Sequence, residues 1–229
     1  MSAVLTSLLG VALGMRHALE PDHLAAVSTL ATQQKTPRAA MALGALWGVG
    51  HSLSLLIVGG SLVLLETQMP PRVSLAFELA VALMIVGLGM RALGKAWTEG
   101  LKGTRFVHSH HAGRHVHAAP AEHIHVSRLT LATRPLLIGI VHGLAGSGAL
   151  TAMVISHLNS GAERLGYIVL FGGGSVVGMA LLTGVVGLSL SKFVKAPNVS
   201  ASLLAVAGVI SLLVGAAWGL EAIDKLLIS

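Results

Sequence analysis

The sequence has no cysteine and very little charge. Without cysteine among its 229 residues, disulfide bonds and thiolate metal sites are excluded. Charged residues make up 10% and hydrophobic residues 54%, whereas about a quarter of an average soluble domain is charged. The chain also lacks the Lys/Arg-rich head of a cleaved signal peptide, so we expect residues 3–15 to belong to the mature protein. This composition predicts an integral membrane protein.

Long apolar stretches follow one another along the chain, and one bilayer crossing needs about 20 such residues. Short polar or proline-containing breaks separate them, except for one long segment at 98–130. We therefore predict an all-α fold, a polytopic membrane helix bundle. Its six transmembrane helices are expected over residues 3–31, 40–65, 74–97, 133–157, 164–191 and 199–221.

Basic residues are distributed unevenly between the two sides of this bundle. The loops after spans one, three and five, with their flanks, hold eleven of the 15 Lys and Arg residues. In a chain this apolar, such residues mark cytoplasmic loops rather than a nucleic-acid surface. We expect a protein of the plasma (inner) membrane with both termini outside, residues 98–130 in the cytoplasm, and no nucleic-acid partner.

The two halves of the chain resemble each other. A shift of 125 residues aligns GMRHALEPDH (14–23) with GIVHGLAGSG (139–148), and a shift of 124 aligns LWGVGHS (46–52) with LFGGGSV (170–176). Three spans per half indicate an inverted-topology repeat, as in many secondary transporters; chance similarity of glycine-rich helices is the alternative. The predicted units are a first three-helix repeat (1–97), a cytoplasmic His-rich loop (98–130) and a second three-helix repeat (131–229).

The stretch RHALEPDH concentrates polar side chains around a proline inside the first span. Pro21 cannot donate a hydrogen bond to the carbonyl of His17, and it disfavours helical dihedrals at Glu20. The predicted break lets His17, Asp22 and His23 converge, whereas an unbroken helix would point them in different directions. In the second half, the glycines of HGLAGSG (142–148) indicate a similar break. We expect broken first helices in both repeats.

Imidazole and carboxylate groups without thiolates suit borderline divalent ions such as Ni²⁺, Co²⁺ and Zn²⁺. An unpaired aspartate costs about 2.5–3.5 kcal/mol at the membrane centre, so Asp22 is a functional candidate. In the alternative interpretation, Arg16 pairs with Glu20 or Asp22 and the histidines bind buried carbonyls. The predicted metal ligands are His17, Asp22, His23, His51 and, from the second repeat, His142.

The motif H-x-x-x-x-D-H, present as His17, Asp22 and His23, resembles the signature of the nickel/cobalt transporter superfamily. The next helix of that family carries a G-H-S motif, matched here by residues 50–52. The resemblance implies that these histidines and Asp22 recognise Ni²⁺ or Co²⁺. The length and HGLAGSGAL (142–150) look like the compact six-span branch that includes urease-accessory membrane proteins. The acidic third motif of the larger permeases is not reproduced.

The resemblance implies transport of Ni²⁺, or of Co²⁺, as a substrate, with uptake favoured and no prosthetic group. The divalent ion and the lipid bilayer are the expected partners. Efflux remains an alternative, as does a non-transporting accessory protein that hands nickel to cytoplasmic chaperones for metalloenzyme maturation. The sequence holds no H-E-x-x-H pair of a metalloprotease, so we do not expect an enzyme.

A histidine-rich stretch lies within the long loop. Its composition is typical of disordered, metal-binding low complexity, and similar loops occur in efflux members of the superfamily. We expect a cytoplasmic segment that captures metal, with a merely solvated basic loop as the alternative. Its histidines are His108, His110, His111, His115, His117, His123 and His125.

Overall fold

The computed structural model describes residues 3–31, 36–102, 128–193 and 197–228, and within these ranges the chain is helical, with short connections and no strand. A π-helical turn over Leu55–Gly59 joins α3 to α4, so that the two form one rod. The helices are α1 (Ala3–His17), α2 (Pro21–Ala31), α3 (Pro37–Ser54), α4 (Gly60–Leu64), α5 (Pro71–Lys102), α6 (Arg128–His157), α7 (Gly161–Phe193) and α8 (Pro197–Ile228).

Five helical segments are long and apolar enough to cross a membrane: the α3–α4 rod, α5, α6, α7 and α8. The chain is therefore an integral membrane protein, and its regular structure within the described ranges is entirely helical. The first predicted span is divided between α1, with 15 residues, and α2, with 11. Each is shorter than the roughly 20 residues of one crossing.

The predicted break in the first span is confirmed. After α1 the backbone forms a tight turn, in which the Leu19 amide donates to the Arg16 carbonyl (2.9 Å) and the Glu20 amide to the His17 carbonyl (3.1 Å). Pro21 then begins α2. The first position of a helix tolerates proline because its amide would have no partner there. The turn therefore ends one helix and starts the next inside the bundle.

The predicted break in the second half is wrong, because α6 is continuous from Arg128 to His157. A glycine keeps its amide and costs a helix only about 1 kcal/mol relative to alanine, so packing can keep it helical. Gly143 illustrates the packing: a Cβ there would overlap the His51 carbonyl and would lie 2.8 Å from Cβ of Ser54. Gly143 therefore allows close approach to α3, and none of these glycines interrupts the helix.

Helical structure extends into both ends of the segment predicted as a loop. Helix α5 continues to Lys102 and α6 begins at Arg128, so both ends of the 98–130 segment are helical. The seven histidines between 108 and 125 lie outside the described residues, and metal capture by this segment stays a prediction.

Glycines bring the helix backbones of the bundle into direct contact. A Cβ on Gly14 of α1 would overlap the carbonyl of Phe171 on α7. A Cβ on Gly139 of α6 would overlap the carbonyl of Trp47 on α3. Because backbone atoms cannot move aside as a flexible side chain does, these positions set the helix separations that hold the interior polar residues together.

We expect Gly14→Ala and Gly139→Ala to lower the free energy of unfolding by about 1–3 kcal/mol each, as overpacking does. Gly173→Ala on α7 is the matched control, since a Cβ there meets nothing within 4 Å. The control should keep or raise stability, because alanine favours the helix by about 0.5–1 kcal/mol. Thermal unfolding in detergent measures all three; equal effects would contradict the packing role.

Candidate metal centre

Four histidine rings and one carboxylate meet at the break between α1 and α2. His17 ends α1, Asp22 and His23 lie in the first turn of α2, and His51 and His142 come from α3 and α6. Four of the five are buried, and the His17 side chain is 15% exposed. The structure thus brings together all five residues singled out by the sequence, here called the histidine cluster. Their role as metal ligands stays a prediction.

Three of the rings form a compact group. The ring centroids of His17 and His23 lie 4.5 Å apart, those of His17 and His51 5.1 Å, and those of His23 and His51 5.3 Å. One ring nitrogen from each lies within 4.8 Å of the others. Since a metal–imidazole bond measures about 2.0–2.1 Å, small ring rotations would let all three bind one ion.

Asp22 holds two of the histidines by hydrogen bonds. Its Oδ1 accepts from Nδ1 of His23 (3.0 Å) and its Oδ2 from Nε2 of His142 (2.5 Å). A carboxylate commonly fixes a metal-binding imidazole in this way, since it selects the tautomer whose other nitrogen keeps a free lone pair. Asp22, His23 and His142 also form a second group with ligand atoms within 4.8 Å. In this geometry both carboxylate oxygens orient imidazoles.

Glu20 does the same for His17, and the sequence interpretation missed this role. Its Oε1 lies 3.0 Å from Nδ1 of His17, which leaves Nε2 of that ring facing the cluster. From the sequence alone, the role expected of the Glu20 carboxylate was pairing with Arg16. The signal that could have identified the pair was the spacing of three residues, which the tight turn before Pro21 bridges with a hydrogen bond from the Glu20 amide to the His17 carbonyl.

The remaining ring nitrogens are buried without hydrogen-bond partners among the described residues. They are Nε2 of His17, Nε2 of His23, Nδ1 of His142 and both ring nitrogens of His51. Buried polar atoms nearly always have a partner, so several such nitrogens within one cluster indicate a site for a ligand. Because imidazole lone pairs bind divalent transition metals, a cation is the ligand that suits them.

A cavity of about 260 Å³ connects the histidine cluster with α5 and α8. A Cβ on Gly146 would lie 4.0 Å from Nε2 of His17 and from Cε1 of His51, so this glycine leaves room beside the rings. We call this the entry cavity. Its lining residues are His17, Glu20, Asp22, His23, His51, Glu78, His142, Ala145, Gly146, Trp218 and Glu221.

Two serines that align with site residues in the other half have a different role. The hydroxyl of Ser147 donates to the carbonyl of Leu144 (2.7 Å), and that of Ser175 to the carbonyl of Phe171 (2.9 Å). Each hydroxyl is thus satisfied within its own helix. The second half therefore contributes His142 to the histidine cluster, while its counterpart of His51, Ser175, does not line the entry cavity.

The chain is similar to known proteins over most of its length. A family model described as "High-affinity nickel-transport protein" matches residues 3–225. The chain is 34% identical over 209 residues to the "Urease accessory protein UreH" of Bacillus sp. (strain TB-90), which covers 90% of this chain and 87% of that protein. No solved structure matches.

We expect the purified protein to bind Ni²⁺ through the histidine cluster, measured by calorimetry in a background that lacks residues 108–125. His51→Ala should abolish this binding because it removes one of the three rings whose nitrogens lie within 4.8 Å of one another. Asp22→Asn should weaken it about 10- to 100-fold, the usual effect of losing a group that orients a ligand. His157→Ala, an exposed histidine at the end of α6, is the control and should change nothing. Equal affinity in all variants would remove the assignment.

Proposed function

Because the chain belongs to the family of high-affinity nickel-transport proteins, we propose that it moves Ni²⁺ across the membrane through the histidine cluster. The observation that carries this proposal is the set of buried imidazole nitrogens, open and mutually close, at the break of the first span. A dehydrated dication is the ligand that such nitrogens stabilise most strongly.

In this proposal His17, His23 and His51 are the direct ligands, and they replace water molecules of the hydrated ion. Asp22 fixes the ring of His23 and brings His142 to the same place, so that the negative carboxylate offsets the charge of the ion. Nickel is favoured over cobalt because affinities at nitrogen sites rise from Co²⁺ to Ni²⁺.

We also propose that the chain crosses the membrane six times, in two inverted repeats over residues 1–97 and 131–229. Helices α1 and α2 together form the broken first crossing. The support is a set of helix contacts that recur between the halves after a shift of 124 or 125 residues. Two pairs of contacts between a glycine and a backbone carbonyl illustrate this. Gly14 lies against the carbonyl of Phe171, and its counterpart Gly139 lies against that of Trp47. In the same way, Gly174 lies against the carbonyl of Val11, and its counterpart Gly50 against that of Leu136. Such pseudo-symmetry suits rocking of one half against the other.

Uptake is the proposed direction. The basic loops favour both termini outside, and the entry cavity reaches Glu78 and Glu221, which lie near the beginning of α5 and the end of α8. On six alternating crossings these two ends share the side of the termini. The cavity therefore leads from that side toward the histidine cluster.

The absence of cysteine gives a clean background for testing this orientation. A membrane-impermeant maleimide should label Thr67→Cys and Ser160→Cys in intact cells, since both residues are exposed and lie between helices on the proposed outer side. Thr36→Cys, exposed before α3, should react only after permeabilisation. The reverse pattern would overturn the proposed orientation.

Reconstituted vesicles with ⁶³Ni²⁺ test transport directly. We expect the parent protein to move nickel, and His17→Ala and His23→Ala to reduce the flux to that of protein-free vesicles, because each removes an open ring nitrogen. Deletion of 108–125 should leave the intramembrane pathway working. Nickel binding without flux in the parent would instead favour an accessory role, the role that the name of the relative carries.

A further inference from the structure

Acidic residues are scarce in this chain, yet three besides Asp22 line the entry cavity. The chain has nine Asp and Glu residues, and Glu20, Glu78 and Glu221 come together from the break, α5 and α8. Carboxylates within membrane-spanning helices are costly and usually serve an ion pathway. This grouping is therefore the feature that the proposed function leaves unexplained.

Because α5 and α8 pack antiparallel, two of these acidic residues lie at the same height along the helix pair. A Cβ on Gly215 would lie 2.9 Å from the carbonyl of Ala82, and one on Gly219 would lie 3.5 Å from Cβ of Ala82. Glu78 lies one turn before Ala82 and Glu221 just beyond Gly219, so the two acids occupy the same end of the helix pair. Each is seven residues from its helix end, which corresponds to about 10 Å.

A buried histidine at the inner end of the same cavity gives an independent indication that a cation binds there. His51 is fully buried, lines the entry cavity, and has two ring nitrogens without partners among the described residues. Glu20 connects the two regions, because its carboxylate contacts His17 while it lines the cavity. The entry cavity thus connects the three carboxylates with the unpartnered ring nitrogens. The carboxylates are therefore more than a solvated surface patch.

A lysine stands beside these carboxylates. Nζ of Lys225 lies 2.6 Å from Oε1 of Glu221, one turn away on α8, and it is within electrostatic reach of Glu78. Its positive charge offsets part of the negative potential that the carboxylates create. A cation arriving at the cavity therefore competes with Lys225 for Glu221.

We propose that Glu20, Glu78 and Glu221 form an entry site, which collects hydrated divalent cations from the side of the termini and passes them to the histidine cluster. This inference rests on the proposed function. Carboxylate oxygens attract the hydrated ion, whose water shell stays in place at this stage, and the imidazoles replace water further in. Lys225 tunes the entry site by pairing with Glu221.

The test is the initial rate of ⁶³Ni²⁺ transport into vesicles, measured against nickel concentration. Glu78→Gln with Glu221→Gln should raise KM about tenfold at low salt, the lower end of known electrostatic focusing, and leave the maximal rate unchanged. Lys225→Gln should lower KM, an effect of opposite sign. Asp224→Asn, also on α8 but outside the cavity lining, is the matched control and should leave KM unchanged.

Ionic strength gives a second readout that a merely structural role would not change. The KM of the parent should rise with salt because screening weakens attraction to exposed carboxylates, and the double glutamine variant should lose most of this dependence. An unchanged KM in that variant, or a lower maximal rate with constant KM, would overturn the entry site while leaving transport intact. Absence of flux in the parent would instead count against the proposed function.

Discussion

The interruption of the first span by Pro21 is the constraint on which the site is built. An unbroken helix would hold His17 and His23 on different faces, whereas the turn between them brings their ring centroids to 4.5 Å. Non-helical backbone within a membrane-spanning segment is tolerated only in a protein interior or beside a water-filled cavity. Helices α3 and α6 supply that interior, since Gly139 and Gly143 let them meet at backbone distance.

Burial of the open ring nitrogens determines how strongly they favour a bound ion. A buried polar atom left without a partner costs about 1–3 kcal/mol, so the ring nitrogens of the cluster favour a bound ligand. A cation that binds the rings removes this cost, and its binding free energy adds to the stability of the bound state. Asp22 and Glu20 select ring tautomers that leave lone pairs free, so the same contacts that hold the rings also prepare them for metal.

The break and the side chains that gather at it could be predicted, because proline chemistry and residue type are local properties of the sequence. The grouping of His51 and His142 followed from a motif and from repeat alignment. The supposed break in α6 was wrong because glycine permits both a break and close helix contact, and only tertiary packing decides between them. The entry cavity was missed because Glu78 and Glu221 lie 143 residues apart and meet only through the antiparallel α5–α8 packing.

The most direct test of the account is to locate nickel by anomalous diffraction at its absorption edge, in crystals of the Ni²⁺-loaded protein. The account predicts one peak among the rings of His17, His23 and His51, with Asp22 bonded to His23 and His142. A peak elsewhere, with those three rings pointing apart or bonded to backbone carbonyls, would contradict it.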